Sequence, residues 1–161
     1  MKSSLFSRKQ NGFTLIELLV VIAIIAALAV VVFTALNPAQ RLKDARDARR
    51  TSDVDTILSA IHTAIVDNKG ALPAGLTTGM AETQLGTSGT TCAVATGGCT
   101  VAAAACLDLT TPLAKYLKSI PLDPNGGTAA KTNYSVTVDA NNIVTVKACG
   151  TEGTANISAS R

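Results

Sequence analysis

Arg8-Lys9-Gln10-Asn11-Gly12-Phe13-Thr14-Leu15-Ile16-Glu17-Leu18-Leu19 opens an apolar run that continues to Leu36. Between Phe13 and Leu36 the one ionisable side chain is Glu17. A helix over these roughly 24 residues rises about 36 Å, enough to cross a hydrocarbon core of about 30 Å with some tilt. The run therefore reads as a membrane helix with one anomaly. A carboxylate in lipid is costly, less so near a helix end where polar groups are in reach. Glu17 needs a compensating partner.

The order of residues around it carries a resemblance. Basic residues, then Gly12, then Phe13, a glutamate as the fifth residue counted from Phe13, and solid hydrophobics beyond: this pattern, sharp over Arg8–Ile25, resembles the leader and stem of type IV pilins and type II secretion pseudopilins. The resemblance implies that a membrane peptidase cuts after Gly12 and methylates the new amine on Phe13. It further implies that Glu17 pairs with the Phe13 amine of a neighbouring subunit as stems stack into a filament. The implied partners are identical and related pilin subunits, a prepilin peptidase/methyltransferase, a membrane assembly platform with its ATPase, and lipid before assembly. The charges are compatible with this pairing, because opposite charges attract far more strongly in a low-dielectric bundle than in water. Adding one methyl group to the amine keeps its charge. The plainer reading, in which Glu17 snorkels to the headgroups of an ordinary anchor, leaves Gly12-Phe13 and the short leader unexplained.

The net charge of +3 over 161 residues is set by the leader. Without Lys2, Arg8 and Lys9, eleven basic side chains face eleven acidic ones. A mature chain near neutrality suits dense packing and argues against a surface built to bind polyanions. The leader differs from a secretory signal, since the implied cut precedes the apolar segment and the helix is retained. Leader charge favours a cytoplasmic N-terminus. Arg41, Lys43, Arg46, Arg49 and Arg50 place at least as much positive charge beyond the other end, so charge alone leaves the orientation open. The resemblance and the cysteines place the head outside, first on the inner membrane and then on an extracellular or periplasmic filament.

Cys92, Cys99, Cys106 and Cys149 all lie in the C-terminal half. In an exported region an even count favours disulfides, with three possible connectivities, and the seven-residue steps between the first three fit no zinc pattern. Short separation favours Cys92–Cys99, which leaves Cys106–Cys149.

Asn37-Pro38 predicts a kink or short break. Helix then resumes from Ala39 to about Asn68, with Leu42, Ala45, Val54, Ile57, Leu58, Ile61 and Ile65 forming an apolar face. The alternating charges from Arg41 to Asp55 read first as a solvated face and next as contacts between subunits. Nucleic acid is the least supported partner, since acids interrupt the bases and no aromatic stacks beside them. His62, on this helix, has no visible metal or catalytic partner.

Residues 69–161 read as a globular head: a long loop to about Cys99, a short helix from Thr111-Pro112, and a hairpin of Tyr134–Val138 and Ile143–Lys147. Tyr134, Val136 and Val138 alternate onto one face, and the tail from Gly150 is expected to be polar and loose. The order of short helix, Pro-x-Asp-Pro turn and strands is similar to the head of major pseudopilins, and that resemblance implies that the head can hold calcium. Asp123-Pro124-Asn125-Gly126 is equally an ordinary turn, so no ligand is assigned and no cofactor is expected.

The expected fold is α+β, with a long N-terminal helix packed on a small antiparallel-sheet head. It divides into a cleaved leader (1–12), an assembly stem (13–36), an amphipathic helix (37–68) and the head (69–161). The expected function is a structural subunit of a type IV pilus-like filament, processed after Gly12. The alternatives are a major pseudopilin of a type II secretion system, a competence pilin that binds DNA, or a monomeric single-pass anchored surface domain. No Ser/His/Asp set, metal-ligand cluster or phosphate loop stands out, so no catalytic residue is assigned and an enzyme is not expected.

Overall fold

The computed structural model describes residues 12–153 and 156–161. Lys2, Arg8, Lys9 and the rest of the expected leader before Gly12 lie outside the described residues. The chain divides into two compact units with the boundary after Arg41.

In the first unit, α1 (Leu15–Leu36) runs for 22 residues, a rise of about 33 Å. Its interior lacks glycine and proline, and Thr34 returns its hydroxyl to the Val30 and Val31 carbonyls at 3.1 and 3.0 Å, so no polar group is orphaned. The expected break falls on one residue. Asn37 is left-handed at φ 39° and ψ 70°, a conformation that asparagine tolerates better than most side chains. Its carbonyl then accepts from Gln40 and Arg41, starting α2 (Pro38–Asp67). Pro38 suits that start, because a first helical residue has no use for its N–H.

The second unit packs α2 on a four-stranded antiparallel sheet in the order β1-β2-β3-β4, giving an α+β fold. The strands are β1 (Thr83–Gln84), β2 (Tyr134–Val138), β3 (Val144–Ala148) and β4 (Ser158–Ser160). The expected hairpin is β2–β3, in register with Val136 opposite Val146. Tyr134, Val136, Val138, Val144, Val146 and Ala148 share one core with Val54, Ile57, Leu58, Ile61 and Ala64 of α2. That is the alternation read from the sequence. Leu76, Leu85, Leu109, Leu113 and Ile120 from the long connection close the core.

Several expectations are corrected. The predicted short helix is a series of turns over 110–116. Leu113 and Leu117 make helix-type bonds to Leu109 and Leu113, but no continuous ladder forms. A segment this short does not repay helix nucleation, and Leu113 and Ile120 are held by the core instead. The tail is not loose throughout, since β4 pairs with β3 and Arg161 exchanges two backbone hydrogen bonds with Val144. The open edge of β3 supplies the reason, with Ile157 as an apolar anchor at the core's margin. Leu42 and Ala45 do not join the buried face of α2; they precede the part of the helix that the head covers.

Candidate assembly site

The start of α1 is built by Thr14 and Glu17. Thr14 is extended and accepts from the Glu17 N–H through Oγ1 at 3.3 Å. In return Glu17 Oε2 accepts from the Thr14 N–H and from its hydroxyl, each at 2.8 Å. This reciprocal capping box satisfies two of the helix's orphan donors. Both bonds use the same oxygen, and Glu17 Oε1 makes no hydrogen bond among the described residues. Phe13, Ile16, Val20 and Val21 line a shallow apolar groove with Glu17. Phe13 itself is 91% exposed, and a Cβ on Gly12 would meet nothing within 4 Å, so the fold does not require glycine there.

The rest of α1 is apolar and uncovered. Its large side chains range from 48% exposed at Val20 to 82% at Leu15, and none is buried. An apolar surface of this extent marks a membrane or protein-interaction site. A family model described as the prokaryotic N-terminal methylation motif matches residues 7–33. The chain carries the leader signature of type IV pilins and pseudopilins. No curated protein and no solved structure matches it. The pilin-type motif indicates a structural subunit, implying processing by a prepilin peptidase and assembly into pilin-containing filaments. Together with α1, long and apolar enough to cross a membrane, it fits membrane anchoring.

The head of this pilin-like chain is organised around a residue that periodicity did not single out. Arg50 is fully buried, and its Nε and Nη2 donate to Asp123 Oδ2 and Oδ1 at 2.6 and 2.9 Å. Its Nη1 donates to Asp47 Oδ1 at 2.7 Å. Around it, Asp47 also accepts from the Glu152 and Gly153 N–H groups, Arg46 pairs with Glu152, and Asn125 donates to Glu152 Oε1. Burial opposes ionisation of Asp47, but hydrogen bonds from Arg50, Glu152 and Gly153 outweigh it and hold its carboxyl below the usual range. The hydrogen bonds to Asp123 hold the guanidinium charged against the opposing cost of burial. The charge cluster is therefore not simply a solvated face. One of its members is the centre of a buried clamp.

The disulfides are Cys92–Cys106 and Cys99–Cys149, correcting the expected pairs Cys92–Cys99 and Cys106–Cys149. Val94 and Val101 bond to each other in both directions, folding the segment into a narrow ribbon. Cys92 and Cys106 meet at its base, while Cys99 lies near its tip and reaches the end of β3. Gly97 permits this approach: it sits at φ +59°, and a Cβ there would lie 2.6 Å from the Cys149 carbonyl. Cross-strand geometry, not sequence distance, selects the partners.

A calcium site at the Asp123 turn does not fit the residues present. Both Asp123 oxygens accept from Arg50, and Asn125 spends its amide on Glu152. Among the described residues no group of three or more His, Cys, Asp or Glu side chains could hold a metal ion. His62 places Nε2 3.0 Å from the Arg161 carbonyl, fastening the tail to α2.

Proposed function

We propose that this chain is the precursor of a subunit of a type IV pilus-like filament. In this reading it is cut after Gly12, methylated on Phe13 and polymerised through α1. The carrying observation is the uncovered apolar surface of α1, most of which lies within the matched methylation motif. Lipid serves that surface before assembly, and neighbouring stems serve it afterwards, so the apolar contact is exchanged rather than lost. Glu17 fits a dual role. Oε2 closes the helix cap while Oε1 remains for a neighbour's Phe13 amine, and the pairing compensates a charge that lipid alone would penalise. Gly12 has no structural demand on its side chain, which supports a requirement imposed by the peptidase.

The test is the mature N-terminus. Mass spectrometry of filament-purified protein is expected to find methylated Phe13 first. Gly12→Val is expected to block the cut without disturbing the fold. Filaments that retain Met1–Gly12 would overturn the reading.

A further inference from the structure

Where α2, the Asp123 turn and the tail meet, Asp47, Asp123 and Glu152 bring six carboxylate oxygens into one hydrogen-bonded network. Every one of them already accepts from an N–H. Asp123 Oδ1 takes Arg50 Nη2 and the Asn125 N–H, and Oδ2 takes Arg50 Nε. Asp47 Oδ1 takes Arg50 Nη1 and the Glu152 N–H, and Oδ2 takes the Gly153 N–H. Glu152 Oε2 takes Arg46 and Oε1 takes Asn125. Calcium coordination requires about six to eight oxygens aimed at one point, and here the oxygens are aimed at separate donors. The tail presses close on this centre, since any Cβ on Gly150 would lie 2.7 Å from Asp123 Oδ2.

We propose that Arg50 does in this head what a bound calcium ion would do. Its guanidinium is the cation that ties the Asp123 turn to α2 directly, and the tail through Asp47, so the head folds and holds without calcium. The chemistry suits the substitution. A planar fork with five N–H donors engages two carboxylates at fixed angles, stays charged at any physiological pH and cannot be removed by a chelator. Burying it also makes the clamp exacting, because a lone carboxylate left behind in the core is strongly destabilising. The inference rests on the pilin-like reading only for the expectation of an ion.

The experiment is thermal unfolding of the full-length protein in detergent micelles, with millimolar calcium chloride or with EGTA. The expected result is the same midpoint in both. A midpoint raised by calcium and lowered again by EGTA overturns the proposal. Arg50→Gln is expected to lower the midpoint by about 10 °C. Should that variant not fold, Arg50→Lys keeps the charge without the fork and is expected to show a smaller loss. A wild-type midpoint in Arg50→Lys and Arg50→Gln would equally overturn it. The micelles hold unassembled protein, so a calcium response would sink the clamp and leave the filament reading standing. Failure to find processed Phe13 would do the reverse.

Discussion

Two helices separated by a single residue behave in opposite ways. α1 is almost wholly apolar and buries nothing, whereas α2 is rich in charge and buries Arg50, Val54, Ile57, Leu58, Ala60, Ile61 and Ala64. Burial therefore follows the available partner, not the composition. The sheet supplies a partner for α2 within the chain. No described residue covers α1, so on the reading proposed above its partner is lipid or a neighbouring stem. Their polar residues differ in the same sense. Among the described residues Glu17 is answered locally, by Thr14, while Arg50 is answered across the head by Asp123.

The largest expected effect separates capping from assembly in α1. Glu17→Ala removes both the cap and the carboxylate, and filament yield is expected to fall by roughly tenfold or more while the membrane-fraction yield stays normal. Thr14→Ala breaks the same capping box but keeps the carboxylate, so its filaments should be much closer to wild type. Glu17→Gln should fall between, retaining an acceptor without the charge. Equal filament yields from Glu17→Ala and wild type would leave the cap as the carboxylate's whole role.

Next in size are the disulfides, both of which lie in the head. Loss of Cys99–Cys149, whose partners are 50 residues apart, is expected to cost about 4 kcal/mol by the chain-entropy estimate. Loss of Cys92–Cys106, 14 apart, is expected to cost about 3 kcal/mol. Denaturant unfolding of Cys→Ser pairs measures this, and non-reducing peptide mapping checks the connectivity. Membrane partition of α1 should not respond to either change, so a coupled loss would erase the contrast between the helices.

A smaller effect tests burial directly. Ile57→Val in α2 is expected to cost about 1 kcal/mol in head stability, because Ile57 is fully buried. Ile25→Val removes the same methylene from α1, where the side chain is 59% exposed, and should leave head unfolding unchanged. Equal shifts would mean that α1 has a partner inside the chain.

The smallest effect at neutral pH concerns the head's carboxylates. Burial works against ionisation of Glu82, but hydrogen bonds from Ser135, Lys147 and Thr100 prevail and lower its pKa. Asp47 is lowered in the same way, and Glu152 is lowered chiefly by Arg46. A carboxylate whose folded pKa is depressed contributes stability that is complete above its unfolded value and lost as pH falls through the folded one. The thermal midpoint is therefore expected to be flat from neutrality down to about pH 5 and to drop below about pH 4. A midpoint that rose on acidification would contradict these contacts.

Much of this was legible before any coordinates. The apolar run, the break at Asn37-Pro38 and the hairpin, expected at Tyr134–Val138 and Ile143–Lys147 and found with its second strand one residue later at Val144–Ala148, follow from short-range rules: helical rise, the missing proline N–H and period-two alternation. The capping box has a local signal too, since Thr14 and Glu17 stand in the Thr-x-x-Glu spacing, although from the sequence Glu17 is assigned a charge partner and no cap. What only the tertiary structure decided involves residues far apart in the chain. Arg50 and Asp123 are 73 residues apart, and on a helix of alternating charges nothing local marks one arginine as buried. The cysteine pairs depend on the Val94–Val101 ribbon turning Cys99 away from Cys92, and β4 depends on an open strand edge that exists only once β3 is in place. Local patterns reveal what a segment needs, a buried face, a cap or a partner for a charge. Which distant group meets that need is settled when the sheet and loops close around α2, because contact in space is not ordered by distance in sequence.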